Sequence, residues 1–82
     1  MLDNTENKKT GIHIYKWRAM RGMKQSELAK LINISASTLS KYENGKVNPG
    51  LTQLHQIAYH LKVSFDQLMQ DPVDAVSHFL KK

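Results

Sequence analysis

Hydrophobic side chains between positions 25 and 45 recur at helical spacing on both sides of a short polar break. The apolar residues of this stretch are Leu28, Leu31, Ile32, Ile34, Leu39 and Tyr42. The break falls near Asn33, a residue type that adopts the left-handed turn conformation more readily than most. Ala29 is small enough to let two helices approach closely. The pattern therefore predicts two short helices that share one buried seam and are joined by a tight turn.

Local signals set the ends of these two helices. Ser35 offers a hydroxyl that can cap the second helix, and Asn44-Gly45 is a typical C-terminal stop. The second helix is therefore predicted over Ala36–Glu43. The first helix of the pair is predicted over Gln25–Ile32.

Another helix is predicted before this pair. It spans His13–Arg21, buries Ile14 and Trp17, and ends at Gly22, which suits a helix C-terminus. Three methionines are interpreted as core filler: Met20, Met23 and Met69.

Two more helices are predicted after the pair. The apolar residues at helical spacing in the fourth helix are Leu51, Leu54, Ile57, Ala58 and Leu61. Ser64 followed by Gln67 forms a capping-box pattern, so a short fifth helix that buries Phe65 and Leu68 is predicted over Phe65–Gln70.

The two ends of the chain lack the features of this core. Residues 1–11 are polar and without periodicity, and they are predicted to be disordered. Residues 71–82 include Val73, Val76, Phe79 and Leu80, in a segment too short for an isolated helix to be stable in water. This segment either folds back on its own domain or, as we favour, forms a short sixth helix that meets its copy in a second subunit. Residues 12–70 then form the single domain.

The net charge of +5 is concentrated in one part of the chain. Between positions 12 and 46 the acidic residues are Glu27 and Glu43, and the basic residues are Lys16, Arg18, Arg21, Lys24, Lys30, Lys41 and Lys46. Positive and negative charges cancel in the rest of the chain. This concentration favours a polyanionic partner such as a nucleic acid. A solvated basic surface that only aids solubility is the alternative.

Other classes of protein are disfavoured. The chain has no cysteine, which excludes disulfides and thiolate metal sites, and no apolar run long enough for a membrane span, so a cytoplasmic protein is expected. The histidines are scattered at His13, His55, His60 and His78. Because no pattern typical of a metal site, a nucleophilic triad or a phosphate loop is present, we expect no metal, no cofactor and no enzyme activity.

A spaced pattern resembles the helix-turn-helix of the phage repressor and Cro-like family, also called the XRE family. The matching residues are Arg18, Gln25, Leu28-Ala29, Ile34-Ser35, Leu39, Glu43-Asn44-Gly45, Pro49, Ile57-Ala58, Leu61, Val63-Ser64 and Leu68. This chain departs from the family pattern at two positions. The family often has glycine at the turn, where this chain has Asn33, and a capping Thr or Ser before the glutamine, where this chain has Lys24. Both substitutions weaken the local caps. The resemblance covers residues 12–69 and implies an all-α, five-helix, lambda-repressor-like DNA-binding domain.

The resemblance also implies roles for individual residues. Arg18 and Glu43 are expected to form an ion pair that joins the first helix to the third. The third helix would lie in the major groove, and the residues expected to contact base edges are Ala36, Ser37, Thr38 and Lys41. The residues expected to hold phosphates are Lys24, Gln25, Asn44 and Lys46.

The implied function is a sequence-specific transcriptional regulator, in particular a repressor that binds a palindromic operator on double-stranded DNA as a homodimer. Two alternatives stay open at this point. One is an antitoxin that neutralises a partner protein and autoregulates its operon, for which residues 73–80 would offer a binding stripe. The other is an accessory factor that has lost DNA binding.

Overall fold

A computed structural model describes residues 5–72, in which five helices pack around one apolar core. The helices are α1 (Thr5–Met20), α2 (Gln25–Leu31), α3 (Ala36–Glu43), α4 (Leu51–Leu61) and α5 (Phe65–Leu68). Each helix places at least one fully buried side chain in the core: Ile14, Leu28, Leu39, Ile57, Leu61 and Leu68. The predicted all-α, five-helix architecture is confirmed.

The turn between α2 and α3 forms as the sequence predicts. Asn33 adopts the left-handed conformation with φ of 62°, and the backbone N–H of Ile34 donates to the carbonyl of Ala29 at 2.9 Å. The hydroxyl of Ser35 accepts a hydrogen bond from the backbone N–H of Thr38 at 3.0 Å, which caps α3. Asn33 thus takes the place of the usual glycine, and α3 has the predicted bounds.

Glu27 compensates in part for the missing hydroxyl cap at the start of α2. The backbone N–H of Lys24 donates to Oε1 of Glu27 at 2.7 Å, which is one half of a capping box. The lysine side chain cannot supply the other half because an ammonium group has no acceptor. α2 nevertheless begins at Gln25, as predicted.

α1 is longer than the sequence predicts. We expected a start at His13 and disorder over residues 1–11, whereas the helix begins at Thr5. The expectation of disorder is therefore wrong from Thr5 onward, and residues 1–4 lie outside the described part of the chain.

A tertiary contact explains the extra turns of α1. A Cβ atom built on Gly11 would lie 2.3 Å from the carbonyl oxygen of Tyr42 and 2.6 Å from that of Glu43. The first half of α1 therefore lies directly on the C-terminal end of α3. Polar helical turns that are held by such backbone contact show no hydrophobic periodicity, so the sequence pattern does not reveal them.

Three apolar residues that we assigned to the core are on the surface. Leu31 is 50% exposed, Leu51 is 63% exposed and Met20 is 55% exposed. Each lies at the end of its helix, where no further turn is present to cover it. The other two predicted core methionines, Met23 and Met69, are partly buried against the core.

α5 begins as predicted but ends earlier, at Leu68 instead of Gln70. Ser64 and Gln67 form the reciprocal capping box at its start. At its end, Nε1 of Trp17 in α1 donates to the carbonyl oxygens of Gln67 at 3.1 Å and Gln70 at 3.0 Å. Because a buried indole N–H requires an acceptor, this contact fixes the chain in a turn here.

The packed domain extends through Pro72, beyond the predicted boundary at residue 70. Pro72 is fully buried, and Nζ of Lys16 lies 2.6 Å from Oδ2 of Asp71. The predicted dimerisation segment comprises residues 71–82, and its part after Pro72 lies outside the described residues.

Candidate nucleic-acid interface

One face of α3 is buried and the opposite face is open. Leu39 and Tyr42 pack into the core, and the hydroxyl of Tyr42 donates to the side-chain carbonyl of Gln53 in α4. Three of the predicted base-contacting residues are exposed: Ala36, Ser37 and Lys41. Since Ser37 and Lys41 are four residues apart, they lie on the same side of α3.

Thr38, the fourth predicted base contact, also takes part in the cap of α3. It is half-buried, and its hydroxyl oxygen lies 2.9 Å from Oγ of Ser35. A hydroxyl has one donor and two acceptor positions, so Thr38 keeps capacity for two further hydrogen bonds. It lies at the margin of the open face.

Arg18 and Glu43 form an ion pair that joins α1 to α3. Nε of Arg18 donates to Oε2 of Glu43 at 2.7 Å, and Nη2 donates to Oε1 at 3.0 Å. The two side chains are 12% and 5% exposed. The hydrogen bond to Glu43 raises the pKa of Arg18 above its ordinary value, against the opposing effect of burial. Such bidentate geometry fixes orientation as well as distance.

Two further contacts extend this pair into a network of three helices. Nη1 of Arg18 donates to the carbonyl of Met23, just before α2, at 2.8 Å. Nε2 of Gln25, the first residue of α2, donates to Oε1 of Glu43 at 3.1 Å. The start of α2 and the end of α3 are therefore both held against α1.

Two of the predicted phosphate contacts face one open groove. The groove has a volume of about 360 Å³, and its lining residues are Ile12, Tyr15, Arg18, Gln25, Glu43 and Asn44. Gln25 enters it from α2 and Asn44 from the end of α3. The amide of Gln25 is bound to Glu43 through one of its two protons, so the second proton remains available. The exposed Lys24 and Lys46 are near neighbours of these residues in the chain.

Ile12 and Tyr15 also line this groove, although neither is among the predicted site residues. Both are surface residues of α1, 47% and 52% exposed, and the guanidinium carbon of Arg18 lies 5.4 Å from the centre of the Tyr15 ring. A signal was present, because Ile12, Tyr15 and Arg18 follow one another at three-residue spacing and such residues share a helix face.

Only part of the positive charge around the motif is available to a partner. Arg18 pairs with Glu43 and Lys16 with Asp71. Nε of Arg21 donates to the carbonyl of Leu61 at 2.7 Å, at the end of α4. The remaining basic side chains between positions 12 and 46 are exposed and make no hydrogen bond or ion pair within residues 5–72: Lys24, Lys30, Lys41 and Lys46.

The histidine and acidic side chains of the described residues form no metal-binding cluster. Over residues 5–72, no three His, Asp or Glu side chains are grouped so as to hold a metal ion. His55 stacks on Phe65, with ring centres 4.6 Å apart. None of the helices described here combines the length and the apolar character needed to cross a bilayer.

Two short helices that cross at a tight turn, the second with an open polar face, define a helix-turn-helix domain. A family model described as helix-turn-helix matches residues 14–68. The chain therefore belongs to the XRE-type helix-turn-helix family, and its fold is that of a DNA-binding domain.

Similar proteins include regulators. An HTH-type transcriptional regulator of Methanocaldococcus jannaschii is 46% identical over 43 residues, which are 51% of this chain and only 18% of that protein's length. The restriction-modification controller protein C.AhdI from Aeromonas hydrophila is 25% identical with a TM-score of 0.74, over 78% of this chain and 97% of its own. The hypothetical transcription factor NHTF from Neisseria is 22% identical with a TM-score of 0.77, over 94% of this chain and 90% of its own, and this likeness concerns the fold alone.

Proposed function

We propose that this chain is a transcriptional regulator, in particular a repressor, that binds a palindromic operator as a homodimer with α3 in the major groove. The observation that carries the proposal is the open face of α3, where Ser37 and Lys41 are exposed opposite a buried face. The regulators that resemble this chain in sequence and fold support the regulatory role.

The dimensions of α3 suit the major groove. Its 8 residues give a length of about 12 Å at about 1.5 Å per residue, and the groove is about 12 Å wide. On the open face, the hydroxyl of Ser37 can donate or accept, and the ammonium of Lys41 can donate to the O6 and N7 acceptors of guanine. The methyl group of Ala36 can contact the methyl group of thymine.

Phosphates would be bound beside α3 by Lys24, Gln25, Asn44 and Lys46. The two lysines supply positive charge, and the two amides supply directional hydrogen bonds. These contacts add affinity that does not depend on sequence, and the two lysines also release counterions from the DNA backbone. The base contacts of α3 then select the site.

The small size of α3 supports a homodimer. At about 3.4 Å per base pair, a helix of about 12 Å covers about 3–4 base pairs. A site of about 4 base pairs occurs by chance about once in 256 positions, which is too often for selective binding in a genome. Two copies related by a twofold axis would contact half-sites about 34 Å apart, and such an operator is palindromic.

Selection of bound duplexes from a random DNA pool tests this function. The expected result is an enriched palindrome whose half-sites lie about 10 base pairs apart, centre to centre. A pool that is retained but stays random would contradict site selection. Failure to retain any duplex at low salt would support the accessory-factor hypothesis, and a second small protein that co-purifies with the chain would support the antitoxin hypothesis.

The enriched duplex also tests repression. Placed between a promoter and a reporter gene, it should lower expression when the protein is present. Higher expression would indicate an activator.

A further inference from the structure

Lys8, in the first turns of α1, lies beside the end of α3 and brings a positive charge there. A Cβ atom built on Gly45 would lie 2.8 Å from Cγ and 2.9 Å from Cα of Lys8. Both the backbone and the side-chain stem of Lys8 therefore pack directly on Gly45. Gly45 has a left-handed φ of 72° and no side chain, so it provides the space that Lys8 occupies.

This contact places Lys8 beside two of the proposed phosphate contacts. Gly45 lies between Asn44 and Lys46 in the turn that follows α3. Lys8 is exposed, and the ammonium group of a lysine extends on a flexible four-carbon stem. A backbone phosphate that reaches Asn44 or Lys46 therefore lies within the region that the Lys8 ammonium can sample.

The position of Lys8 is set by a rigid element. Gly11, three residues further along α1, approaches the carbonyl oxygens of Tyr42 and Glu43 so closely that a Cβ atom there would collide with them. The packing of α1 against α3 therefore holds the backbone of Lys8 at a fixed position beside the end of α3. A disordered arm would lose conformational entropy when it bound DNA, and a helix that is already docked avoids most of that cost.

We propose that Lys8 is a further phosphate contact, which extends the DNA-binding surface from the turn after α3 onto the first turns of α1. This proposal rests on the proposed function. It assigns a DNA contact to a part of the chain that precedes the residues 14–68 matched by the family model.

A charge-removing substitution tests the proposal. Lys8→Gln removes the charge and keeps a residue that favours helix. Affinity is measured over a salt series for the selected duplex and for a random duplex. Each phosphate neutralised by a lysine or arginine contributes about −0.9 to the slope of log K against log salt. Lys8→Gln should therefore make the slope shallower by about 0.9 on both duplexes, and Lys8→Arg should keep the wild-type slope.

Lys62→Gln is the matched control. Lys62 lies near the opposite end of α1 from Lys8, because its carbonyl accepts a hydrogen bond at 3.4 Å from Arg21, which directly follows that helix. Arg21 is thirteen residues from Lys8, which corresponds to about 20 Å at the rise of a helix. This variant makes the same change of charge and should keep the wild-type slope.

The outcomes separate the two proposals. A wild-type chain with a steep slope that Lys8→Gln leaves unchanged would overturn the assignment of Lys8 alone. An equal change in Lys62→Gln would mean that net charge is responsible, and it would overturn that assignment as well. A wild-type chain that binds neither duplex would overturn the proposed function and the assignment together.

Discussion

Arg18 and Glu43 join α1 to the end of α3 through two parallel hydrogen bonds, at 2.7 Å and 3.0 Å, and both side chains are largely shielded from water. The same carboxylate accepts a hydrogen bond from Gln25 at the start of α2. An intact buried pair need not be a large net stabiliser, because both charges lose their hydration. Its main effect in this domain is to fix α3 against α1 and α2.

Removal of one partner of this pair should be costly. Arg18→Met keeps much of the side-chain volume but leaves the Glu43 carboxylate buried without its counter-charge, so the free energy of unfolding should fall by about 3–5 kcal/mol. Urea denaturation measures this loss. Lys16→Met is the control, because the pair with Asp71 is more exposed, with side chains 39% and 22% accessible, and should contribute less than about 1 kcal/mol. Equal losses in the two variants would contradict the structural role of Arg18.

The close contact at Gly11 predicts an unusual response to alanine. In an exposed helix interior, Gly→Ala stabilises by up to about 1 kcal/mol. At Gly11 the new Cβ atom would meet the backbone of α3, so we expect destabilisation by about 1–3 kcal/mol, as for other overpacked sites. Gly50→Ala, where a Cβ atom meets nothing within 4 Å, should change stability by less than about 1 kcal/mol. Thermal unfolding of both variants distinguishes them, and a stabilised Gly11→Ala would show that α1 does not lie against α3.

The part of the fold that follows from local chemistry could be predicted from sequence. α3 has the predicted bounds because Ser35 and the Asn44-Gly45 stop act within a few residues of the helix ends. The start of α1 could not be predicted, since residues 5–11 are polar and their helix depends on contact with residues more than thirty positions away. The same limit explains the end of α5, where the acceptor carbonyls are bound by Trp17 of α1.

The candidate site could be predicted only in part, because some of its side-chain contacts join different helices. Helical spacing identifies Ser37 and Lys41 as surface residues of α3, because the buried positions of the same helix are known. Spacing does not show that the Thr38 hydroxyl lies against Ser35 or that the Gln25 amide is bound to Glu43. Those contacts require the positions of side chains within the turn and across three helices.

The open face of α3 should determine which DNA sequence is preferred. Ser37→Ala and Lys41→Ala should each lose about 1–3 kcal/mol of binding free energy on the selected duplex and little on random DNA. Lys24→Ala is the control, because loss of a phosphate contact should weaken both complexes together. Competition binding with the two duplexes measures the difference. Equal losses on both duplexes for Ser37→Ala and Lys41→Ala would mean that these residues contact phosphate only.

Shortening the chain should separate folding from dimerisation. A chain that ends at Pro72 keeps every buried residue of the described core, so it should remain folded while its self-association weakens. Sedimentation at several protein concentrations, with circular dichroism as the check of folding, measures both properties. If the shortened chain stays as dimeric as the full chain, the contact lies elsewhere. In that case the exposed Leu51 and Tyr59 of α4 become the residues to substitute.

The affinity of the intact chain for its selected duplex and for a random duplex, titrated over a salt series, tests the central claim most directly. The two lysines among the proposed phosphate contacts, Lys24 and Lys46, predict a slope of log K against log salt of about −1.8 for each bound subunit, and the proposed contact of Lys8 makes it steeper. Base contacts by α3 predict an affinity for the selected duplex at least about 10³ times that for the random one at physiological salt. A slope near zero, or equal affinity for the two duplexes, would contradict the assignment of this chain as a sequence-specific DNA-binding regulator.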